Sequence, residues 1–283
     1  MNTGIIPGDG DYDIDVGLKF DMSISDYPDP MVPKRWVRDA LIGHTKRVEI
    51  KRSCVTVTYQ INSEPAYHID FAIYSSSNSD NMYIAKGKEF SEASNIFWEL
   101  SDPQLLINII NDKYKDDDRL QFKRVIRYLK KWKNYNFDIS GSSAPTGIAL
   151  TVLAYYYFFV RSIFDNVRMK TVYDDHSALI SFVETIKNSF AYTYDVDTGS
   201  WYHTISAKLP VEPRNDLFGK MTKTQMESFY NKLDNLHKAL MEAKNNEKRS
   251  EACRILVTQF GNEFPVTYDK STVGTSESAV SSR

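Results

Sequence analysis

Hydrophobic and polar positions along the chain fall into two regimes. Up to about residue 90 they alternate with period two, as in half-buried strands; beyond it apolar residues recur every three or four positions, as on amphipathic helices. A first strand is predicted around residues 11–20, where Tyr12, Ile14 and Val16 share one face and Asp11, Asp13 and Asp15 the other. Cys54–Ile61 alternates again, Asn62–Pro65 has turn chemistry, and Ala66–Tyr74 sets Ile69, Phe71 and Ile73 opposite His68, Asp70, Ala72 and Tyr74. These two runs predict a hairpin. Ser25–Pro33 is a proline-rich connection, Lys34–Ile42 a short helix ending at Gly43, and Ser75–Asn81 a polar loop.

The pattern predicts helices throughout the rest of the chain. Asp102 suits an N-cap with Pro103 at the first helical position. Arg119–Trp132 carries the stripe Phe122, Val125, Ile126, Leu129 and Trp132, and Ile148–Val160 is apolar all round, which predicts a buried helix with Tyr155–Phe159 in the core. Residues 173–195 read as helix broken by Asp195–Gly199, and Thr222–Phe260 as helix interrupted at Lys244–Arg249. Ser271–Arg283 has the polar composition of a flexible tail.

With 283 residues, 42% hydrophobic, the chain suits one large or two modest globular domains. A formal charge of −2 leaves no general basic footprint of the kind that drives duplex binding. Two cysteines, Cys54 and Cys253, make neither a disulfide framework nor a zinc set, which points to reduced thiols and a cytoplasmic setting. The longest apolar run falls short of the ~20 residues that span a bilayer, so no membrane association is expected.

Candidate chemistry lies with the carboxylates. Asp13 and Asp15, two apart on one strand face, can bind one or two Mg²⁺ ions through oxygen, and Asp70 on the polar side of an apolar strand can complete the site. An Asp-rich turn or a solvated edge strand remains open as the bland alternative for residues 7–20. Lys34, Arg35, Arg38, Lys46, Arg47, Lys51 and Arg52 form a positive cluster, read as phosphate steering or a solvated face. Ser142 and Ser143 open the helix after Pro145, where free N–H groups either take an anion or are simply capped. Asp195 and Asp197 have the spacing of a metal pair but sit in turn chemistry, and His176, His203 and His237 show no ligand spacing.

Asp13-Ile-Asp15 followed by His68-Ile-Asp70 resembles the cGAS/DncV-like nucleotidyltransferases, in particular the bacterial cyclases of anti-phage CBASS systems. Arg127–Trp132 resembles the Lys-Trp helix of that group, and Ala144–Thr151 the Pro-containing helix start that follows it. Pro210–Asp216 and Phe260–Pro265 resemble its late segments. The resemblance implies an α+β, bilobal, polymerase-beta-like fold, with a mixed sheet lobe over residues 1–90 packed on a helical lobe over 91–266, followed by a tail over 267–283.

It also implies two Mg²⁺ ions, with Mn²⁺ as the alternative, held by Asp13, Asp15 and Asp70, and Lys130 on the donor triphosphate. Nucleoside triphosphates would be joined into a cyclic di- or trinucleotide for anti-phage defence, with CBASS regulatory proteins as partners. The family's Gly-Ser segment before the first acidic strand has no counterpart ahead of Asp13, so the sheet lobe is expected to be N-terminally incomplete. An enzyme making linear oligonucleotides or modifying RNA or protein, and an inactive nucleotide-binding homologue, are the other readings.

Overall fold

The computed structural model of this protein describes residues 1, 3–5, 12–45, 47–61, 64–78, 81–138 and 143–267. Gly8, Gly10, Asp11, Lys46, Ser142, most of the expected tail and the Asn62-Ser63 part of the hairpin turn lie outside the described residues.

Within them the order of elements is β1 (Tyr12–Phe20), α1 (Met31–Leu41), β2 (Arg47–Ile50), β3 (Val55–Ile61), β4 (Glu64–Asn78), β5 (Asn81–Lys86) and β6 (Phe97–Leu100). There follow α2 (Pro103–Asp112), α3 (Asp116–Asn136), α4 (Gly147–Tyr157), β7 (Ser162–Asp165), β8 (Lys170–Tyr173) and α5 (Asp175–Asn188). The chain closes with β9 (Ala191–Asp195), β10 (Ser200–Thr204), α6 (Lys223–Asn245) and α7 (Arg249–Phe260). Two compact units result: Met1–Lys123 with Ser206–Gly219, and Arg124–Ile205 with Lys220–Arg283.

The first unit is built on a six-stranded mixed sheet in which β2 to β6 pair antiparallel in sequence order and β1 pairs parallel with β4. One sheet face is apolar. Val37 of α1 packs with Val55, Ile73 and Ala85, and Leu18, Phe20, Leu41, Val48, Ile50, Phe71 and Trp98 surround them. Full burial of such side chains stabilises by ~1.5–3 kcal/mol each, enough to fix which face of every strand turns inward. The opposite face is thereby left to polar residues.

Three expectations need correction here. The polar stretch Ser75–Asn81 is not a loop: Ser75–Asn78 complete β4 and Asn81 opens β5. Its side chains act as backbone partners, Ser75 Oγ donating to Met22 O at 2.7 Å and Ser76 Oγ to Phe20 O at 3.0 Å, so polar residues are satisfied inside a strand. Lys34 is not on a solvated helix face but fully buried. Its ammonium donates to Lys51 O at 2.7 Å, Arg52 O at 2.9 Å and Gly87 O at 2.7 Å, using all three N–H bonds. Finally, helix does not continue unbroken after Phe90, because β6 extends the sheet and two hairpins, β7–β8 and β9–β10, interrupt the helices.

In the second unit the α3 stripe behaves as its spacing predicts: Val125, Ile126, Leu129 and Trp132 are all buried. Trp132 meets Phe137 edge-on at 5.8 Å and Phe229 of α6 at 6.4 Å. The helix α4 is buried over Ala149–Ala154, but the aromatic run at its end is only partly core. Phe158 is buried while Tyr156, within the helix, and Phe159, just past its end at Phe158, are exposed.

Lys34→Met tests the buried ammonium. It removes the donor to the Lys51 and Gly87 carbonyls, and unsatisfied buried groups cost ~1–3 kcal/mol each, so urea unfolding should show a loss of at least ~2 kcal/mol.

Candidate active site

The polar sheet face is assembled from three neighbouring strands, and register decides what meets there. In the parallel β1–β4 pair, Asp13 lies beside His68 and Asp15 beside Asp70. In the antiparallel β3–β4 pair, Thr56 lies beside Asp70 and Thr58 beside His68. Adjacent strands are ~4.8 Å apart, so Thr56, Asp70 and Asp15 form one row across the sheet. Asp13 stands on the next row of the same face. The three carboxylates singled out in the sequence are thus brought together by strand pairing alone.

Their environments differ. Asp13 and Asp15 are exposed and Asp70 is half-buried. Partial burial raises the Asp15 carboxyl above its ordinary range, and the charges of Asp70 and then Asp13 raise it further. Thr56, buried on β3, donates its hydroxyl to Asp70 Oδ1 at 2.5 Å. On the next row the Thr58 hydroxyl meets His68 Nδ1 at 3.0 Å. Cys54 Sγ lies 3.6 Å from the Thr56 hydroxyl, and burial pushes its thiol up, which keeps it protonated.

Tyr74 completes the face. A side chain at Gly17 would begin 3.4 Å from the Tyr74 ring, so glycine at this strand position lets the ring approach β1. Burial raises the Tyr74 phenol, and Asp15 adds to the shift. Neither Thr56 nor Tyr74 was singled out in the sequence. Their parity with Asp70 and the in-strand Gly17 were the available signals.

The chemistry of this donor set fits a divalent cation. All three acidic groups offer hard oxygen on one sheet face. Among the described residues no group of three or more His, Cys, Asp and Glu side chains converges as a ligand set. The carboxylates share one face of the sheet.

Lys130 belongs to the second unit, on α3, where it packs at the start of α4. A side chain at Gly147 would begin 3.6 Å from Lys130 Cε and 3.9 Å from its Nζ. Burial, and then the neighbouring Lys133, lower its ammonium to about 8. Thr146 caps α4 by accepting from Ala149 N at 3.2 Å, and Ser143 lies just ahead in a half-buried turn. Lys130 and the first N–H groups of α4 are therefore neighbours, two positive features at one spot.

The remaining candidates settle as ordinary structure. Asp195 binds Thr198 Oγ1 at 2.6 Å and the Asp197 N–H at 3.2 Å, forming the β9–β10 turn, and pairs with Lys223. His176 meets Leu240 O at 3.0 Å, and His203 pairs with Glu227 at 3.0 Å. Of the basic cluster, Arg35 pairs with Asp29, Arg38 with Asp39 and Glu89, and Arg47 with Glu49, while Lys51 and Arg52 are exposed.

Residues 1–74 match the family model for the cyclic GMP-AMP synthase DncV-like nucleotidyltransferase domain. A cyclic GMP-AMP synthase of Escherichia albertii is 29% identical over 154 residues, which is 50% of this chain and 31% of that protein. Among solved structures, Vibrio cholerae DncV cyclic AMP-GMP synthase in complex with nonhydrolyzable GTP matches with a TM-score of 0.63 at 20% identity, covering 89% of this chain and 63% of that one. The same synthase in complex with the linear intermediate 5′ pppA(3′,5′)pG matches with a TM-score of 0.61 at 19% identity, covering 93% and 67%. The fold is thus α+β and of the polymerase-beta-like nucleotidyltransferase type. The chain spans 31% of the curated relative and 63% of the first of these structures.

If the three carboxylates repel one another across β1 and β4, Asp15→Asn should raise the melting temperature in metal-free buffer. Added Mg²⁺ should then stabilise the parent chain and leave the variant unmoved, which thermal unfolding with and without the ion measures.

Proposed function

We propose that this chain, which carries the DncV-like nucleotidyltransferase domain over residues 1–74 and shares the DncV fold, is a Mg²⁺-dependent nucleotidyltransferase joining nucleoside triphosphates into a cyclic di- or trinucleotide. The observation that carries this reading is the register that sets Asp15 beside Asp70 with Asp13 on the same face. Asp13, Asp15 and Asp70 would hold the metal, which when bound offsets charge on the phosphates and makes an acceptor ribose hydroxyl acidic enough to attack the α-phosphorus. Pyrophosphate is the leaving group.

The protein's own part is positioning and electrostatics. The rigid β1–β4 pair fixes the spacing of the carboxylates, so little rearrangement is needed as charge develops. Lys130, beside the first turn of α4, contributes a cation that suits a triphosphate. Exposed Lys51 and Arg52, in the turn between β2 and β3, suit phosphate steering. The solved relatives in complex with nonhydrolyzable GTP and with the linear intermediate 5′ pppA(3′,5′)pG support nucleotides as substrates and a stepwise reaction. Service in CBASS anti-phage defence in the cytoplasm, with regulatory partners of such systems, completes the proposal.

Incubation with α-labelled ATP, GTP, CTP and UTP plus Mg²⁺, followed by phosphatase, tests the reaction. The parent chain should yield a phosphatase-resistant product and the Asp13→Ala/Asp15→Ala variant none. A phosphatase-sensitive oligomer would point to a linear product, and no product from either would favour a nucleotide-binding homologue without activity.

The lowered Lys130 adds a pH dependence. Its ammonium is charged below about 8 and neutral above, so kcat/KM for the triphosphate should fall as pH rises through that value. Lys130→Arg, which stays charged, should flatten the alkaline limb.

A further inference from the structure

The acidic face has a buried side that the metal ligands do not themselves supply. Asp70 is flanked by Asp15 on β1 and by Thr56 on β3, in register with both. Thr56 is almost wholly buried, and its hydroxyl donates to Asp70 Oδ1 at 2.5 Å. A hydroxyl has one proton to give. With that proton committed to Asp70, the contact between Cys54 Sγ and Thr56 Oγ1, at 3.6 Å, runs from the thiol to the threonine oxygen. The threonine is thereby locked between a donor on one side and a carboxylate on the other. Its hydroxyl orientation follows from these contacts.

We infer that Thr56 is a positioning residue for the metal site: it fixes the carboxylate plane of Asp70 and keeps one oxygen engaged, leaving the other for a divalent cation. The inference rests on the metal-dependent reading above. Two physical points carry it. The terminal torsion of a carboxylate is broad and roughly two-fold, and Asp15 beside it repels it, so without a donor the plane of the Asp70 oxygens would not be fixed. Thr56 is buried on the face of β3 opposite to Val55 and Val57, and a buried hydroxyl is costly unless it is bonded. Here its bond goes to the one carboxylate of the three that is half-buried. Partners that orient a metal ligand typically contribute 10- to 100-fold in metal affinity.

The test uses the full chain and Mn²⁺ as the probe, with bound ion measured by the loss of the free Mn²⁺ paramagnetic resonance signal. Asp70→Asn serves to locate binding on this face. Thr56→Val, which keeps shape and removes the hydroxyl, should weaken Mn²⁺ binding by about 10-fold or more, with thermal unfolding in metal-free buffer little changed. Thr56→Ser, which keeps the hydroxyl, should restore affinity. Thr56→Ala is carried in parallel in case the valine variant does not fold. The same ranking should appear in the Mg²⁺ concentration needed for half-maximal product.

Equal Mn²⁺ affinity in the parent and in the folded variant lacking the hydroxyl would overturn the inference, as would a serine variant as weak as valine. Absence of saturable Mn²⁺ binding in the parent would overturn it as well. Since Mn²⁺ binding needs no turnover, a parent chain that binds the ion without forming product would count against the synthase reading and leave the role of Thr56 standing or falling on affinity alone.

Discussion

The parallel pairing of β1 with β4 joins segments some fifty-five residues apart in the chain, and nearly every functional statement about this protein passes through it. Parallel strands cannot be linked by a tight turn. The chain therefore leaves β1, crosses by α1, and returns through the β2–β3–β4 meander before β4 can receive β1 as its second neighbour. The crossover places α1 on the apolar face, where Val37 meets Val55 and Ile73. The carboxylates are consigned to the other face by the same step. A slip of one residue in β1 would turn Asp13 and Asp15 into the core and Leu18 out of it, so the hydrophobic side of the sheet is what enforces the acidic side.

That arrangement requires its loops to be held. The segment before β3 carries Lys51 and Arg52, and it is anchored from within by the buried Lys34 ammonium, which also holds the Gly87 carbonyl after β5. A buried cation is costly, and burial lowers this ammonium to about 8. Its three carbonyl partners act in the opposite sense, since each accepts a proton that only the charged form supplies in full. We regard the charged form as the structural one at neutral pH, on both counts. The end of β1 is secured differently, by serine hydroxyls of β4 that donate to Phe20 and Met22 carbonyls.

The second unit contributes a different kind of device. Its core is aromatic and aliphatic around Trp132, Phe137 and Phe229, and α3 presents Lys130 to the first turn of α4. Gly147 leaves the space between them open. Burial, then Lys133, makes the lysine easier to deprotonate than an ordinary one.

Much of this was legible beforehand. Period-two alternation put Asp13 and Asp15 on one strand face and Asp70 on the polar side of another, and helix-start chemistry located Asp102 and Pro103 correctly, because these are properties of a few consecutive residues. The stripe from Val125 to Trp132 was equally plain, since one helix face must be buried whatever it packs against. What the residues in order did not contain was partnership. Pairing and register are contacts between distant segments, so the neighbour of Asp70 on either side, Asp15 or Thr56, emerged only with the folded sheet. The burial of Lys34 and the strand character of Ser75–Asn78 were hidden for the same reason: a polar side chain looks solvated until the carbonyls that satisfy it are brought to it. Local periodicity determined which residues could face the site; tertiary pairing decided which of them meet there.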